Sequence, residues 1–303
     1  MFTNRLFYLL IALFVVTACT PESEVLEVVA APSSPSAASL PTVKPTIALP
    51  TATATPIAEL SGNFEVNGHS LFIKCLGTGS PTIVLEAGEG GTVQGFGSIQ
   101  NKLAKQTTTC AYDRANNGRS DRGVPTPRTA KDVVDDLHVL LEAAKVPGPY
   151  LLVGHSAGGM LVQLYARTYP DQVVGVVAMN PVPPAHPWLD QVSKVFTAEE
   201  YTGEEAYYQG DNGESLDYLT GSEQLVAAPT PPDVPFEMLL STSVQCEAAE
   251  ICLKSYSIYK RIMQEVTAAW PHGNFSQVAA PHNIFEADPD SVVATVERIL
   301  ALR

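Results

Sequence analysis

The sequence predicts an α/β architecture, a mostly parallel central sheet with helices on both faces. Three observations predict it. Beyond residue 60, short apolar runs alternate with helix-spaced segments after an opening hairpin. Val173 to Met179 is a continuous apolar run, the pattern of a strand covered on both faces. Gly154-His155-Ser156-Ala157-Gly158 lies between an apolar run, Tyr150 to Val153, and a helical stretch, Gly159 to Tyr169, that stops at Pro170. A Gly-x-Ser-x-Gly pattern on such a strand-turn-helix presents the serine hydroxyl at a strained turn. Glycines at its flanks relieve the crowding that side chains would cause there.

The elements follow in order. Phe64 to His69 reads as a strand and turn, and Ser70 to Cys75 as its hairpin partner. Thr82 to Glu86 is a buried strand that ends in the glycine-rich loop Ala87 to Gly91. Phe96 to Ala104 is a helix and Thr108 to Tyr112 a strand. Thr129 opens a helix to about Lys145, with Val133, Val134, Leu137, Leu140, Leu141 and Ala144 as its apolar stripe; His138 lies off that stripe, as a solvated histidine would. From Pro181 to Asp233 the periodicity is poor and acids are dense, with tyrosines interleaved. Phe236 to Leu240 is a strand, Glu247 to Ala269 a helix, Gln277 to Ala280 the last strand, and Pro289 to Leu302 a terminal amphipathic helix.

The first 59 residues have another character. Arg5 precedes an apolar run, Leu6 to Val16, and small residues then lead to Cys19. This is an export signal over residues 1–18, too short for a comfortable membrane span. Val16-Thr17-Ala18-Cys19 resembles the bacterial lipobox, which implies cleavage before Cys19, lipidation of that cysteine and a chain anchored to the membrane outside the cytoplasm. An ordinary secretory signal is the alternative. Residues 19–59 are rich in Pro, Ala, Ser and Thr, have no apolar period, and are expected to form a disordered tether. The folded domain then runs from 60 to 303.

Composition excludes some partners. A net charge of −14 leaves nothing to neutralise nucleic-acid phosphates or to dock on anionic lipid by charge. Four cysteines remain after Cys19, and in an oxidising compartment an even number suggests two disulfides. Three pairings are possible. Cys75 with Cys110 and Cys246 with Cys252 is favoured, because the second pair closes a small loop. No CxxC or histidine pair suggests a metal, and no cofactor is signalled.

Taken in order, Leu85-Glu86-Ala87-Gly88, Ala111-Tyr112-Asp113-Arg114, Val153 to Gly159 and Pro281-His282 before the last helix resemble the α/β-hydrolase superfamily, in its esterase and proline-iminopeptidase-like branch. The resemblance covers Asn63 to Arg303. It implies the α/β-hydrolase fold with a lid at about 181–233 and two-step acyl transfer through Ser156, which attacks a carbonyl and forms an acyl-enzyme that water hydrolyses. A serine hydroxyl needs a base. Of His69, His138, His155, His186, His272 and His282, the resemblance points to His282, in the loop after the last strand. His272 precedes that strand, and His155, inside the turn, is expected to point away from the base. The acid that orients the base is Glu247 on this reading, with Glu250 and Asn180 as alternatives. The oxyanion hole would use the N–H groups of Ala157 and Glu89, with the Glu89 side chain turned away. Asp113-Arg114 braces the loops around the site, and the lid acids read as a solvated face.

The function expected is hydrolysis of a small carboxylic ester. The alternatives are an aminopeptidase or amidase whose lid carboxylates hold a substrate ammonium, and a binding protein that has kept a hydrolase scaffold.

Overall fold

The computed structural model describes residues 59–242 and 249–302. The signal, the tether and Cys19 lie outside the described residues. So do Cys246 and Glu247.

The opening hairpin pairs β1 (Glu59–Val66) with β2 (His69–Leu76) in antiparallel register. Next come β3 (Thr82–Glu86), α1 (Gly97–Leu103) and β4 (Thr109–Tyr112). A two-residue strand, β5 (Arg128–Thr129), leads into α2 (Ala130–Ala143). Then follow β6 (Tyr150–His155), α3 (Ala157–Thr168) and β7 (Val173–Met179). The segment after β7 holds α4 (Ala185–Val192), α5 (Ala198–Tyr208), β8 (Leu216–Asp217) and α6 (Tyr218–Ala227). The chain closes with β9 (Pro235–Ser241), α7 (Ala249–Ala268), β10 (His272–Val278), α8 (Ile284–Ala287) and α9 (Pro289–Leu300).

Eight strands form one sheet in the order β1-β2-β4-β3-β6-β7-β9-β10. Among the described residues, only the β1–β2 and β2–β4 pairs are antiparallel. The predicted doubly covered, mostly parallel sheet is therefore present. Alternation along each strand divides the core. Val84, Leu152 and Val176 pack with α2 and α3 on one face. Ile83, Leu85, Leu151, Val153 and Val177 pack with α1, α8 and α9 on the other. Cys75 and Cys110 face each other across β2 and β4 and are joined by a disulfide, as expected. Cys252 is also disulfide-bonded.

Several expectations need correction. The last strand starts at His272, five residues before the expected Gln277, so His272 belongs to it rather than preceding it. The stretch after Pro181 is not irregular: it forms three helices. Local signals for them are in the sequence. Thr197 and Glu200 form a reciprocal capping box at the start of α5, and Asp217 caps α6 through the Thr220 N–H. The weak apolar period reflects a thin, tyrosine-rich interior rather than lack of structure. Tyr208 and Tyr218 are fully buried there. His138 is not solvated. Its ring stacks on Tyr169 at 3.9 Å between centroids, and its Nδ1 is buried with no hydrogen-bond partner. The tyrosine from the end of α3 covers a position that helical spacing alone leaves open.

Candidate active site

Ser156 stands at the turn between β6 and α3 with φ 52° and ψ −117°. This is a strained conformation for a residue with a side chain, and such strain persists only where the surroundings enforce it. They do so here through close packing. A Cβ at Gly154 would strike the Gly158 carbonyl, and one at Gly158 would strike the Glu86 carbonyl. The flanking glycines are thus required by backbone approach, and neither has a positive φ. The Ser156 N–H donates to the Met179 carbonyl at 2.9 Å, and the Val182 N–H donates to the Ser156 carbonyl at 3.1 Å. Both bonds tie the turn to the end of β7.

One cavity of about 350 Å³ opens beside Ser156. His282, His155, the Ala87 to Thr92 loop, Phe96, Phe285 and Tyr207 are among its walls. His282 therefore shares a cavity with the serine. The other four histidines do not line it. His69 pairs with Asp136 at 2.8 Å, His186 with Glu223 at 3.4 Å and His272 with Asp233 at 2.8 Å, and His138 stacks on Tyr169. His282 is exposed at the cavity mouth, yet the protein packed around it disfavours the imidazolium and lowers its pKa.

His155 does not point away from the base. Its ring centroid lies 4.7 Å from that of His282, and its Nε2 donates to the His282 carbonyl at 3.0 Å. The alternation of β6 explains this. Leu151 and Val153 face the α8 side of the sheet, so His155 does too, and the His282 loop runs into α8 there. Burial, then the proximity of His282, push the His155 pKa down to about 3, although the bond to the carbonyl opposes the shift. His155 is thus a neutral donor at any working pH.

Asn180, in a left-handed conformation at the end of β7, donates from Nδ2 to the same His282 carbonyl at 2.7 Å. Its Oδ1 accepts from the Ser241 N–H at 2.8 Å. Asn180 therefore grips the main chain at His282. Of Glu250, only the backbone belongs to the description, as part of α7.

The glycine-rich loop supplies the other wall. Gly91 N–H donates to the Gly88 carbonyl at 3.0 Å, and Gly90 N–H to Glu214 Oε2 at 2.8 Å. Among the described residues, the N–H groups of Glu89 and Ala157 have no acceptor. The loop lies close to the serine: a Cβ at Gly88 would come within 2.8 Å of His155 Nδ1 and 3.2 Å of Ser156 Cβ. Two unpaired N–H groups, one at the N-terminus of α3, are suited to a developing negative charge. The Glu89 side chain does turn away. Its carboxylate accepts from Tyr207 Oη at 2.9 Å, Tyr218 Oη at 3.3 Å and the Gly213 N–H at 2.7 Å.

Beneath the loop lies a buried ionic cluster. Arg114 donates to the Ala87 and Gly88 carbonyls at 2.6 and 2.7 Å, to Glu86 at 2.6 Å, and through two nitrogens to Glu214 at 2.6 Å each. Asp113 accepts from the Val93 N–H at 2.7 Å and the Arg119 N–H at 2.9 Å. The bracing expected of Asp113-Arg114 is present. Its lid partner, Glu214, was not legible among the many acids of its segment. Burial raises the Glu86 pKa, and the opposing pull of Arg114 comes second. None of the lid carboxylates lines the cavity; the lid reaches it through Tyr207.

Comparisons agree with the architecture. The family model for the alpha/beta hydrolase fold matches residues 81–213. The uncharacterised protein YqjL of Bacillus subtilis is 34% identical over 105 residues, covering 35% of this chain and 41% of that protein. A protein of Yersinia enterocolitica named for carbamate hydrolysis, RutD, is 32% identical over 116 residues, 37% of this chain and 41% of that one. The chain therefore spans well under half the length of these relatives. The solved enol-lactonase of Burkholderia xenovorans superposes with a TM-score of 0.56 at 18% identity, over 79% of this chain and all of that one (100%). A thermophilic esterase of Thermogutta terrifontis gives a TM-score of 0.54 at 14% identity, over 80% and 98% of the two chains. From its strand order and strained serine turn to the family pattern over residues 81–213, the chain has the α/β-hydrolase fold.

Proposed function

We propose that this chain is a serine hydrolase that cleaves small carboxylic esters through an acyl-enzyme on Ser156. One observation carries the reading: the strained serine, His282 and a loop with a free N–H surround a single cavity. In the first step Ser156 Oγ attacks the ester carbonyl carbon while the His282 imidazole takes the hydroxyl proton. The carbonyl electrons move onto oxygen, which the Ala157 and Glu89 N–H groups stabilise. Collapse breaks the bond to the leaving alcohol, and His282 returns the proton to it. Water then repeats the sequence on the acyl-enzyme, with the carboxylic acid released and Ser156 regenerated.

Glu247 is proposed as the acid behind His282. The aminopeptidase alternative lacks support from the lid, since no lid carboxylate borders the cavity. Likeness to a protein named for carbamate hydrolysis favours a second reading, in which the same machinery acts on a carbamate. We also propose that the chain is exported, cleaved before Cys19 and held to the membrane by a lipid on that residue.

The test is labelling of the full chain by a fluorophosphonate, alongside ester and carbamate hydrolysis. Labelling that vanishes in Ser156→Ala is expected, and an unlabelled wild type refutes the reading. Glu247→Gln should lower kcat by orders of magnitude; a loss of less than about threefold moves the acid to Glu250 or Asn180. Cys19→Ala should release the chain from the membrane fraction, and unchanged membrane retention would rule out the anchor.

A further inference from the structure

The charges around the cavity are one-sided. Glu89 and Glu286 line it, and among the described residues no lysine or arginine does. The buried cation beneath the loop, Arg114, is 2% exposed and is committed to Glu86, Glu214 and two loop carbonyls, so its charge is answered before it reaches the cavity. His155 is neutral, and the pKa of His282 is lowered. Nothing among the described lining residues could neutralise an anionic substrate.

The two carboxylates differ in role. Glu89 is held by two tyrosine hydroxyls and an N–H. Glu286 sits on α8, four residues beyond the base, and is exposed. Its Oε2 accepts from Asn283 at 3.1 Å, and its Oε1 has no donor among the described residues. Aromatic side chains complete the walls: Phe96, Phe285 and Tyr207. A carboxylate with a free lone pair beside aromatic rings is the chemistry that recognises an organic cation.

We propose that the cavity selects substrates that carry an ammonium group near the scissile carbonyl, with Glu286 as its counter-ion and Glu89 contributing at longer range. The proposal rests on the serine-hydrolase reading and adds the charge of the substrate. It differs from the lid-based expectation in its residues: the selecting carboxylate stands in the segment after the base.

Three acetate esters of closely similar size test it on the full chain: acetylcholine, its uncharged carbon isostere 3,3-dimethylbutyl acetate, and 3-acetoxypropanoate. Expected is a kcat/KM for the cation about tenfold above the neutral ester and for the anion about tenfold below it, each a step worth a single charge interaction. Glu286→Gln should reduce the cation-to-neutral ratio at least fivefold, and added salt should reduce it too. Tetramethylammonium should slow fluorophosphonate labelling of Ser156, and neopentyl alcohol at equal concentration should not. Equal rates for cation and neutral ester, or a ratio unmoved in Glu286→Gln, overturn the proposal while labelling of Ser156 leaves the hydrolase reading standing. Absence of both labelling and turnover overturns the two together.

Discussion

Glu214→Gln tests whether the lid holds the oxyanion loop in place. Glu214 Oε1 accepts from Arg114 Nε, and its Oε2 accepts from both Arg114 Nη2 and the Gly90 N–H. Glutamine keeps the shape but has a single acceptor oxygen. With that oxygen at the Oε2 position, Arg114 Nε faces an amide nitrogen and loses its partner. Arg114 keeps Glu86, so the cost is smaller than the roughly 3–5 kcal/mol of a fully broken buried pair. An unpaired hydrogen bond to a buried charged group costs about 1.5–3 kcal/mol. About 2 kcal/mol of lost stability is expected, which leaves most of a domain's roughly 5–15 kcal/mol intact. Activity should fall more than stability suggests. Removing an oxyanion donor outright costs about 10²–10³ in kcat; loosening the loop that carries it should cost about tenfold, with KM little changed. Urea unfolding, ester kinetics and the rate of fluorophosphonate labelling measure the three quantities. Glu199→Gln, in an exposed lid acid, is the control. A variant that loses about 2 kcal/mol but labels and turns over at the wild-type rate would refute the link between lid and oxyanion loop.

Other outcomes follow from the same geometry. Since burial lowers the His282 pKa, the base stays neutral to lower pH than a free imidazole. With the proposed orienting carboxylate neutralised in Glu247→Gln, so that burial alone acts, the acidic limb of the residual kcat/KM should therefore have its midpoint below the ordinary histidine value of about 6.5; a midpoint above that value in the variant's pH–rate profile contradicts the assignment. His155 is refused a proton in the fold down to about pH 3, whereas the unfolded chain binds one below its ordinary value of 6.5. Its depressed pKa thus removes stability as pH falls from 6.5 towards 3, and His155→Gln should flatten that part of the stability profile measured by urea unfolding. Asn180→Ala removes one of two donors on the His282 carbonyl and the amide oxygen that accepts from the Ser241 N–H. A kcat loss of about tenfold with an unshifted acidic limb is expected, because the imidazole is displaced rather than retitrated. Replacing both Cys75 and Cys110 by alanine opens a loop of 35 residues and should cost about 2–4 kcal/mol in thermal or urea unfolding.

The sheet was legible because strand burial is written in composition. Val173 to Met179 reads as a strand from its apolar run and is found with those bounds. The serine turn was legible because its glycines answer a steric demand that is local in sequence. The supporting groups were not, for the opposite reason. Arg114 and Glu214 meet across 100 residues, and nothing near Glu214 distinguishes it from the exposed acids around it. The orientation of His155 is legible in the strand. Its parity with Leu151 and Val153 puts it on the α8 face, a relation visible along the strand itself. The lid helices also carry a local mark, the Thr197-x-x-Glu200 capping signal at the start of α5, although their apolar period is weak.

The contacts around the serine share one physical logic. The groups that would react carry few bonds, while their main chain is held from several sides. Two donors, from His155 and Asn180, fix the carbonyl of His282 and leave its ring at the cavity mouth. Arg114 binds the carbonyls of Ala87 and Gly88, and Glu214 binds the Gly90 N–H, so the Glu89 N–H between them is left unpaired in a loop that is fixed on both sides. Glu89 itself is restrained by lid tyrosines, which turns a carboxylate away from the place where negative charge would develop. Unpaired polar groups held rigid cost stability when empty and lower a barrier when filled, because no reorganisation remains to be done at the moment of reaction. A lid that served only to cover the cavity would need none of these bonds to the loop. Their presence ties the lid to the loop that carries the proposed oxyanion donor, the Glu89 N–H, and it explains why buried ionic groups lie under a segment whose outer surface is solvated.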